Sequence, residues 1–498
     1  MKRIFFILSL ATLAVSCNEE FLDSAPTETI ATPQTSFKLN GLYVMMINTG
    51  TGGTTAHEDF GQKGYDIISD LLSADMALAR NGYNRYLRVA NLSATVDFTQ
   101  NTPNYIGWRY YYRVIGGAND IINDLGGNDA VPTAESDKYI MGQAKALRAY
   151  AYFYLAQFYN TSYKPEEASL PIYTMPQQAA QPKSKQSEVY NLIISDLTTA
   201  ISLLENYARP NKGYIDKNVA KGLLAYTYAA MGENAKAGAL SLELINTTTY
   251  PVTSQEQAVG GFEDKYNGGF NSISTPSWMW GFDLTNDNGL DLISWWGQMD
   301  MFTYSYQSVG DYKTADAGLV SSIPDYDIRK QQFAGEYNGY KYFPTNKFYN
   351  AAREVQGARN VTDDYIYMRI DEFHMLAAES LAKSGSEAQA KTILKNYLRN
   401  RYVGTGDTPA EIAANLEAKL DSDINGLAGQ SLLDFIYKNT RIEFWGEGKS
   451  YLAMKRNRAT VTRSANHQFF PNTSYSYDDP KLSFKIPQAE IQNNPYLD

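Results

Sequence analysis

Two segments far apart in the chain carry the same glycine-centred pattern, and it restricts the fold more than any other feature. Ala225, Tyr228 and Ala237 stand at offsets −7, −4 and +5 from Gly232. Ala378, Leu381 and Ala390 stand at the same offsets from Gly385. Glycine supplies the left-handed turn that closes a helix, and small alanines let two antiparallel helices approach closely. Residues 217–246 and 371–397 are therefore predicted to be helical hairpins. Helices are also predicted over 105–125 and 139–159. In the second, Ile140, Ala144, Leu147, Ala151, Leu155 and Phe158 recur at spacings of three and four, which places them on one buried stripe. Pro165, Pro171, Pro176 and Pro182 break regular structure after it. A further helix is predicted from about Ser187 to Tyr207, ended by Pro210 and Gly213. Helical periodicity returns at about Tyr365 and continues to about Arg456. The tail, 464–498, is polar and extended.

The hairpin pattern resembles the tetratricopeptide helix-turn-helix, and two ordinary helical hairpins are the alternative. Residues 250–350 behave differently. They are rich in Gly, Asn, Ser, Asp and aromatics, without sustained helical period, and short extended runs such as Ser277–Leu284 and Gly339–Tyr349 fit small strands or loops. An irregular stretch of this length is either disordered or functional, and its four tryptophans argue against disorder. On a strand, Trp278 and Trp280 would project from one face. Trp295, Trp296, Tyr304 and Tyr306 follow, with Asn286, Asp287, Asn288 and Gln298 among them. Flat aromatic faces stack on the C–H patch of a pyranose, and neighbouring amides and carboxylates bond its hydroxyls. The alternative is that tryptophans fill the core, and adjacent Trp295 and Trp296 cannot both face one side of a strand. A second cluster, Asn81-Gly82-Tyr83-Asn84-Arg85-Tyr86, is either a plain loop or a second wall in which Tyr83 and Tyr86 stack and Arg85 donates. The 39 tyrosines, nearly twice the 21 phenylalanines, suit a wet binding surface and helix packing equally.

Charge and motifs exclude several classes. The chain of 498 residues has 44 Lys+Arg against 54 Asp+Glu, a net charge of −10, so no nucleic-acid footprint is expected. One cysteine excludes an internal disulfide framework. The three histidines are scattered: His374 is read as a packed or capping residue, and His57-Glu58-Asp59 as a Gly/Thr-rich loop with two acids rather than a metal corner. Asp283 to Asp291 is rich in oxygen ligands but misses the calcium-loop register, with Leu284 five before Gly289. No cofactor and no metal site are predicted, a structural calcium ion there being the alternative. No H-E-x-x-H, G-x-S-x-G or G-x-x-x-x-G-K-[ST] occurs, so an enzyme is not expected.

Residues 1–17 form a targeting segment. Lys2 and Arg3 precede an apolar run from Ile4 to Val15, too short to span a bilayer. The single cysteine follows Ala14-Val15-Ser16, and this segment resembles a bacterial lipoprotein signal. The resemblance implies that Cys17 becomes the acylated N-terminus. Residues 17–35 read as the lipidated start and a polar tether.

Five segments, in order, resemble the SusD/RagB family of outer-membrane lipoproteins. They are Cys17-Asn-Glu-Glu-Phe-Leu-Asp23-Ser-Ala-Pro26, Gln143 to Ala156 with its Ala-x2-Leu-Arg-Ala core, Met368 to Leu381, Arg441-Ile-Glu-Phe-Trp-Gly-Glu-Gly448, and Ile486 to Pro495. The resemblance implies a mainly α fold in which tetratricopeptide-like helix pairs support an irregular, short-strand region carrying the binding surface. The divisions expected are a signal (1–16), a tether (17–35), a helical part (36–249), the irregular binding region (250–350), and a second helical part with the tail (351–498). It further implies a non-catalytic lipoprotein on the outer face of the outer membrane, and a SusC-like TonB-dependent transporter as partner. The cargo would be a glycan or, as in the RagB branch, a peptide. A secreted hydrolase is the remaining alternative. Residue type and region, not motif, nominate Trp278, Trp280, Trp295, Trp296, Tyr304, Tyr306, Asn81, Tyr83, Arg85 and Tyr86 as ligand-facing. An Arg–Glu pair at i, i+2 does not meet on a helix, so Arg441 and Glu443 are expected to pair elsewhere in the fold.

Overall fold

The computed structural model describes residues 34–99, 103–261, 266–352, 357 and 362–497. The signal, Cys17 and nearly all of the tether lie outside these. Thr35, the last residue assigned to the tether, instead begins a helix. Helices of at least seven residues are α1 (Thr35–Ile47), α2 (Gln62–Leu72), α3 (Pro103–Asp124), α4 (Glu135–Tyr159), α5 (Gln186–Leu203), α6 (Lys217–Met231), α7 (Asn234–Thr247), α8 (Asp371–Lys383), α9 (Glu387–Leu398), α10 (Pro409–Ile424), α11 (Gln430–Glu443) and α12 (Ser450–Arg456). Among the described residues, no helix is long and apolar enough to cross a membrane.

Both predicted hairpins form. Gly232 and Gly385 take φ of 82° and 87°, the left-handed turn that only glycine enters without strain. Ala225, Ala237, Ala378 and Ala390 are fully buried between the helices. The two hairpins also stack, α7 against α8, although residues 248–370 separate them in the chain. Small residues permit this contact: a Cβ added at Gly238 would lie 3.3 Å from Ser380. With α3, α4, α5 and α6 packing in succession, the helices form one continuous array.

Helix α4 lies between α3 and α5 and is buried all round from Met141 to Phe158. Its stripe of recurring apolar residues is therefore only part of its contact surface. Tyrosines do much of this packing. Tyr111 stacks on Tyr154 with an interplanar angle of 2°, and the hydroxyls of Tyr111 and Tyr150 both donate to Gln62 Oε1. A tyrosine can bury its ring and still satisfy its hydroxyl, so much of the tyrosine excess belongs to the core.

The irregular region is anchored by small two-stranded sheets. Trp278–Phe282 pairs antiparallel with Tyr365–Arg369, with irregular register around Trp280. The return of helix near Tyr365 is thus corrected: Tyr365–Arg369 is a strand, and α8 starts at Asp371. Every residue of both strands is buried, so neither shows the alternation that marks a half-exposed strand. Met76–Leu78 pairs with Lys313–Ala315, and Gly335–Tyr337 with Tyr340–Phe343 across Asn338 and Gly339, both at positive φ. The tail is less extended than expected. It contributes Ser474–Ser476, paired with Thr460–Thr462, and a short helix Gln488–Asn493. A large core contains Leu39, Trp280, Trp296 and Phe484 together, and a smaller one forms among α8 to α11 around Leu394, Leu420 and Ile436.

The segment 441–448 is the structural joint between them. Arg441 Nη2 lies 2.6 Å from Asp75, and Trp445 Nε1 donates to the Asp75 carbonyl. The Gly446 amide donates to Asp70 at 2.6 Å, and Gly448, at φ 71°, packs on Asp66. Glu443 meets Arg329, Arg369 and Arg401 at 3.2, 3.0 and 2.8 Å, while Glu447 pairs with Arg369 and Lys347, both at 2.8 Å. Asp327 and Asp371 complete a buried set of four cations and four carboxylates. As expected, Arg441 and Glu443 do not pair with each other.

Candidate functional site

Two loops distant in sequence meet on one surface. The Asp311 carboxylate, fully buried, accepts the backbone N–H groups of Gly82 (2.7 Å), Tyr83 (2.7 Å) and Arg85 (3.1 Å). Asn81 Oδ1 accepts the Asn84 amide, closing the loop on itself. Gly82 lies against Gly310, where an added Cβ would stand 3.2 Å from its carbonyl oxygen. The loop 81–86 is thus fastened to residues 306–311 through its backbone, which leaves the side chains of Tyr83 and Asn84 exposed while Tyr86 is buried.

Below it, Ser305 caps the turn Tyr306–Val309 through a 3.0 Å bond from the Ser308 amide. That turn places the Tyr306 ring at the centre of the site. Tyr83 lies 5.7 Å from it at 61°, the Arg85 guanidinium 4.9 Å above it, and His57 5.6 Å away at 67°. The Tyr306 hydroxyl and His57 Nδ1 are 2.6 Å apart. Glu58 reaches Arg85 at 3.5 Å and accepts the Tyr86 amide at 3.2 Å.

His57 and Glu58 are held by a loop built around Asp59. This buried carboxylate accepts Gly52 N (2.7 Å), Thr54 N (3.0 Å) and Thr54 Oγ1 (2.8 Å). All three of its bonds are therefore internal to the loop, in line with the loop reading of His57-Glu58-Asp59. Burial and then the Arg85 charge push the His57 imidazole below its ordinary value, and burial raises the Tyr306 phenol. Both shifts favour the uncharged forms of the pair.

Tyr83 is 49% exposed and Tyr304 39%, while Arg85, Asn81, His57 and Glu58 are half-buried. Exposed rings beside anchored hydrogen-bonding groups can stack on and orient a polar ligand with apolar faces. Tyr306 is largely covered and sets the geometry of its neighbours.

The other nominated aromatics lie elsewhere. Trp278, Trp280, Trp295 and Trp296 are at most 2% exposed, and Tyr86 is equally covered. The expectation that these five present faces to a ligand is corrected. Trp278 donates to the Gly269 carbonyl at 2.9 Å, Trp280 to Gly213 at 3.2 Å, and Trp296 to Asp363 at 2.7 Å. Trp280 packs on Tyr150 and Tyr367, and Trp295 on Trp296 and Phe348. A tryptophan whose ring is enclosed and whose N–H meets a backbone carbonyl is a core residue. Tyr86 is driven inward by its left-handed backbone, φ 56°, and sits beneath Lys313. His374 packs against Tyr397. In the oxygen-rich segment, Asn288 Oδ1 accepts the Thr285 amide, and Asn286–Asn288 forms a single 3-10 turn. Among the described residues, no group of three or more His, Cys, Asp or Glu is placed to hold a metal ion.

Asp311 and Asp59 were not nominated from sequence. Asp311 had no local signal, since its partners are more than two hundred residues away. Asp59 stood in a segment read as a loop with two acids rather than a metal corner, and its carboxylate holds that loop together.

Residues 20–228 match a family model described as "Starch-binding associating with outer membrane", and residues 246–498 match that of the SusD family. Two SusD-like proteins of Formosa agariphila are 23% and 24% identical to this chain. The first alignment covers all of this chain and 98% of the relative, the second 94% and 92%. Among solved structures, a SusD-like carbohydrate binding protein from Bacteroides vulgatus superposes with a TM-score of 0.75 at 24% identity, covering 93% of this chain and 96% of that one. Surface glycan-binding protein A from Bacteroides uniformis superposes with a TM-score of 0.64 at 17% identity, covering 93% and 98%.

Proposed function

This chain belongs to the SusD family, and from that premise we propose that it is a non-catalytic glycan-binding protein of the cell surface. It captures oligosaccharides or polysaccharide and delivers them to a SusC-like TonB-dependent transporter for nutrient uptake. Acylated Cys17 tethers it to the outer membrane, facing the exterior. The observation that carries this reading is the meeting of the 81–86 loop with residues 306–311. It sets the exposed Tyr83 and the Arg85 guanidinium against the Tyr306–His57 pair, and Tyr304, also exposed, stands two residues before Tyr306 in the chain. Tyr83 and Tyr304 supply stacking faces, and Arg85, Asn81, His57 and Glu58 bond hydroxyls. Trp278, Trp280, Trp295 and Trp296 are core residues and are given no ligand contact. The printed names of the relatives, a carbohydrate binding protein and a surface glycan-binding protein, support the same ligand class.

Native affinity electrophoresis through gels containing different polysaccharides tests the proposal. Retardation in one gel that is lost in the Tyr83→Ala/Tyr304→Ala variant supports it. Uniform migration in every gel, with binding of peptides in their place, would move the cargo to peptides. Released reducing ends would instead establish a hydrolase. For the anchor, Cys17→Ser is expected to move the protein from the membrane to the soluble fraction, and unchanged partition would remove lipidation from the proposal.

A further inference from the structure

A second concave surface lies between α11 and the hairpin that begins at Thr460. It has a volume of about 520 Å³, within the range of small-molecule pockets, and shares no residue with the aromatic site. Three features of its lining point to one ligand chemistry.

The first is unpaired positive charge. Lys438 lines the cleft with its ammonium over the Phe435 ring, and Arg458 lines it from the end of α12. Among the described residues neither meets a carboxylate within salt-bridge distance, whereas Arg441 beside them is engaged by Asp75. The second is backbone strain. Arg458 takes φ 49°, at the left-handed position just past α12 where glycine would be free of strain. Its amide donates to Lys455 and that of Ala459 to Met454, so the turn is the ordinary closure of a helix. An arginine there gives up backbone ease and puts a cation on the cleft. The third is hydrogen-bonding capacity. The Tyr437 hydroxyl is buried in the wall without a partner among the described residues, and Asp434, Asn457 and Thr460 line the same space.

We propose that this cleft binds an acidic sugar. The carboxylate or sulfate of the sugar sits between Lys438 and Arg458, and its hydroxyls meet Tyr437, Asp434 and Asn457. A neutral sugar would leave both cations without a direct ion pair, the lining carboxylates Asp316 and Asp434 lying beyond salt-bridge distance of them. A bare inorganic anion would leave the Tyr437 hydroxyl, Asp434 and Thr460 unused, while Asn457 Nδ2 is already held by Glu379 and Ala453.

Saturation-transfer NMR and calorimetry on the purified protein, with glucuronate, glucose 6-sulfate, glucose and inorganic sulfate as separate probes, test the assignment. Binding of glucuronate or of glucose 6-sulfate, at least tenfold tighter than glucose and than inorganic sulfate, is expected. Whichever acid binds names the acidic group. Lys438→Gln/Arg458→Gly should weaken that binding at least tenfold. Arg458→Gly alone should leave the melting temperature unchanged or raised, because it removes strain, yet weaken the ligand. Tyr83→Ala/Tyr304→Ala should leave this binding intact, which separates the result from the fate of the aromatic site. The proposal is overturned if glucose or inorganic sulfate binds as tightly as the acids, if no probe binds, or if the double variant binds unchanged.

Discussion

Tyr83 and Trp280 were nominated for one role, and the structure gives them opposite environments. Tyr83 stands half in solvent on a loop whose backbone is held by Asp311, whereas Trp280 is enclosed between Tyr150 and Tyr367. Tyr83→Ala is therefore expected to change stability by less than about 0.5 kcal/mol while lowering glycan affinity tenfold or more. Paired thermal unfolding and affinity electrophoresis check both halves. Trp280→Ala should cost about 3–5 kcal/mol, which denaturant unfolding would register as a lower midpoint. Equal stability of the two variants would contradict these assignments. Glu443 is the residue on which the buried ion network converges. Removing it leaves three arginines without their shared carboxylate, at a cost of about 3–5 kcal/mol, and Glu443→Ala should lower the unfolding midpoint accordingly.

At the scale of elements, the glycine-closed hairpins make a sharper test than any core position. No atom lies within 4 Å of a Cβ built at Gly232 or Gly385, so alanine there meets no clash and pays only for left-handed backbone. Each change is expected to destabilise by about 1–2 kcal/mol, measured by chemical denaturation. Gly238 behaves differently, because its constraint is the approach of α7 to Ser380 on α8. These hairpins were legible because a helix and its closing turn are specified by residues a few positions apart. The strand Tyr365–Arg369 was not, since burial on both faces erased the alternation by which a strand is recognised. Asn338-Gly339, by contrast, marks its hairpin by the local backbone conformation alone.

Across the whole molecule, buried carboxylates couple stability to pH. Burial pushes Glu379 up, but Arg456 and Lys383 together hold it far below the usual carboxylate range. Burial likewise raises Glu443, and Arg401, Arg369 and Arg329 outweigh it. Groups depressed in the fold contribute stability that is complete above their unfolded value, about 4.3, and that drains as pH falls toward the folded one. Asp364 runs the other way. Burial raises it to about 6, so its contribution is complete below its unfolded value and is lost as pH rises through about 6. Urea midpoints are therefore expected to fall as pH drops from 4.5 to 3, less steeply in Glu379→Gln. A midpoint independent of pH over that interval would show that the network carries no net stability.

Helices, their glycine stops and the family-wide order of segments could be read from the chain, because each depends on neighbours within about one or two turns. The non-pairing of Arg441 with Glu443 followed from the same local geometry. Which aromatics lie inside and which face solvent could not be read this way. Trp278 and Tyr83 are both aromatic residues in short segments without helical periodicity, and what the rest of the fold lays over each decides its exposure. The candidate site itself depends on Asp311 meeting amides more than two hundred residues earlier, and the joint at 441–448 on Asp75 and Arg369. Such contacts form only when distant segments are brought together by burial of a common core, and no window along the chain carries that information.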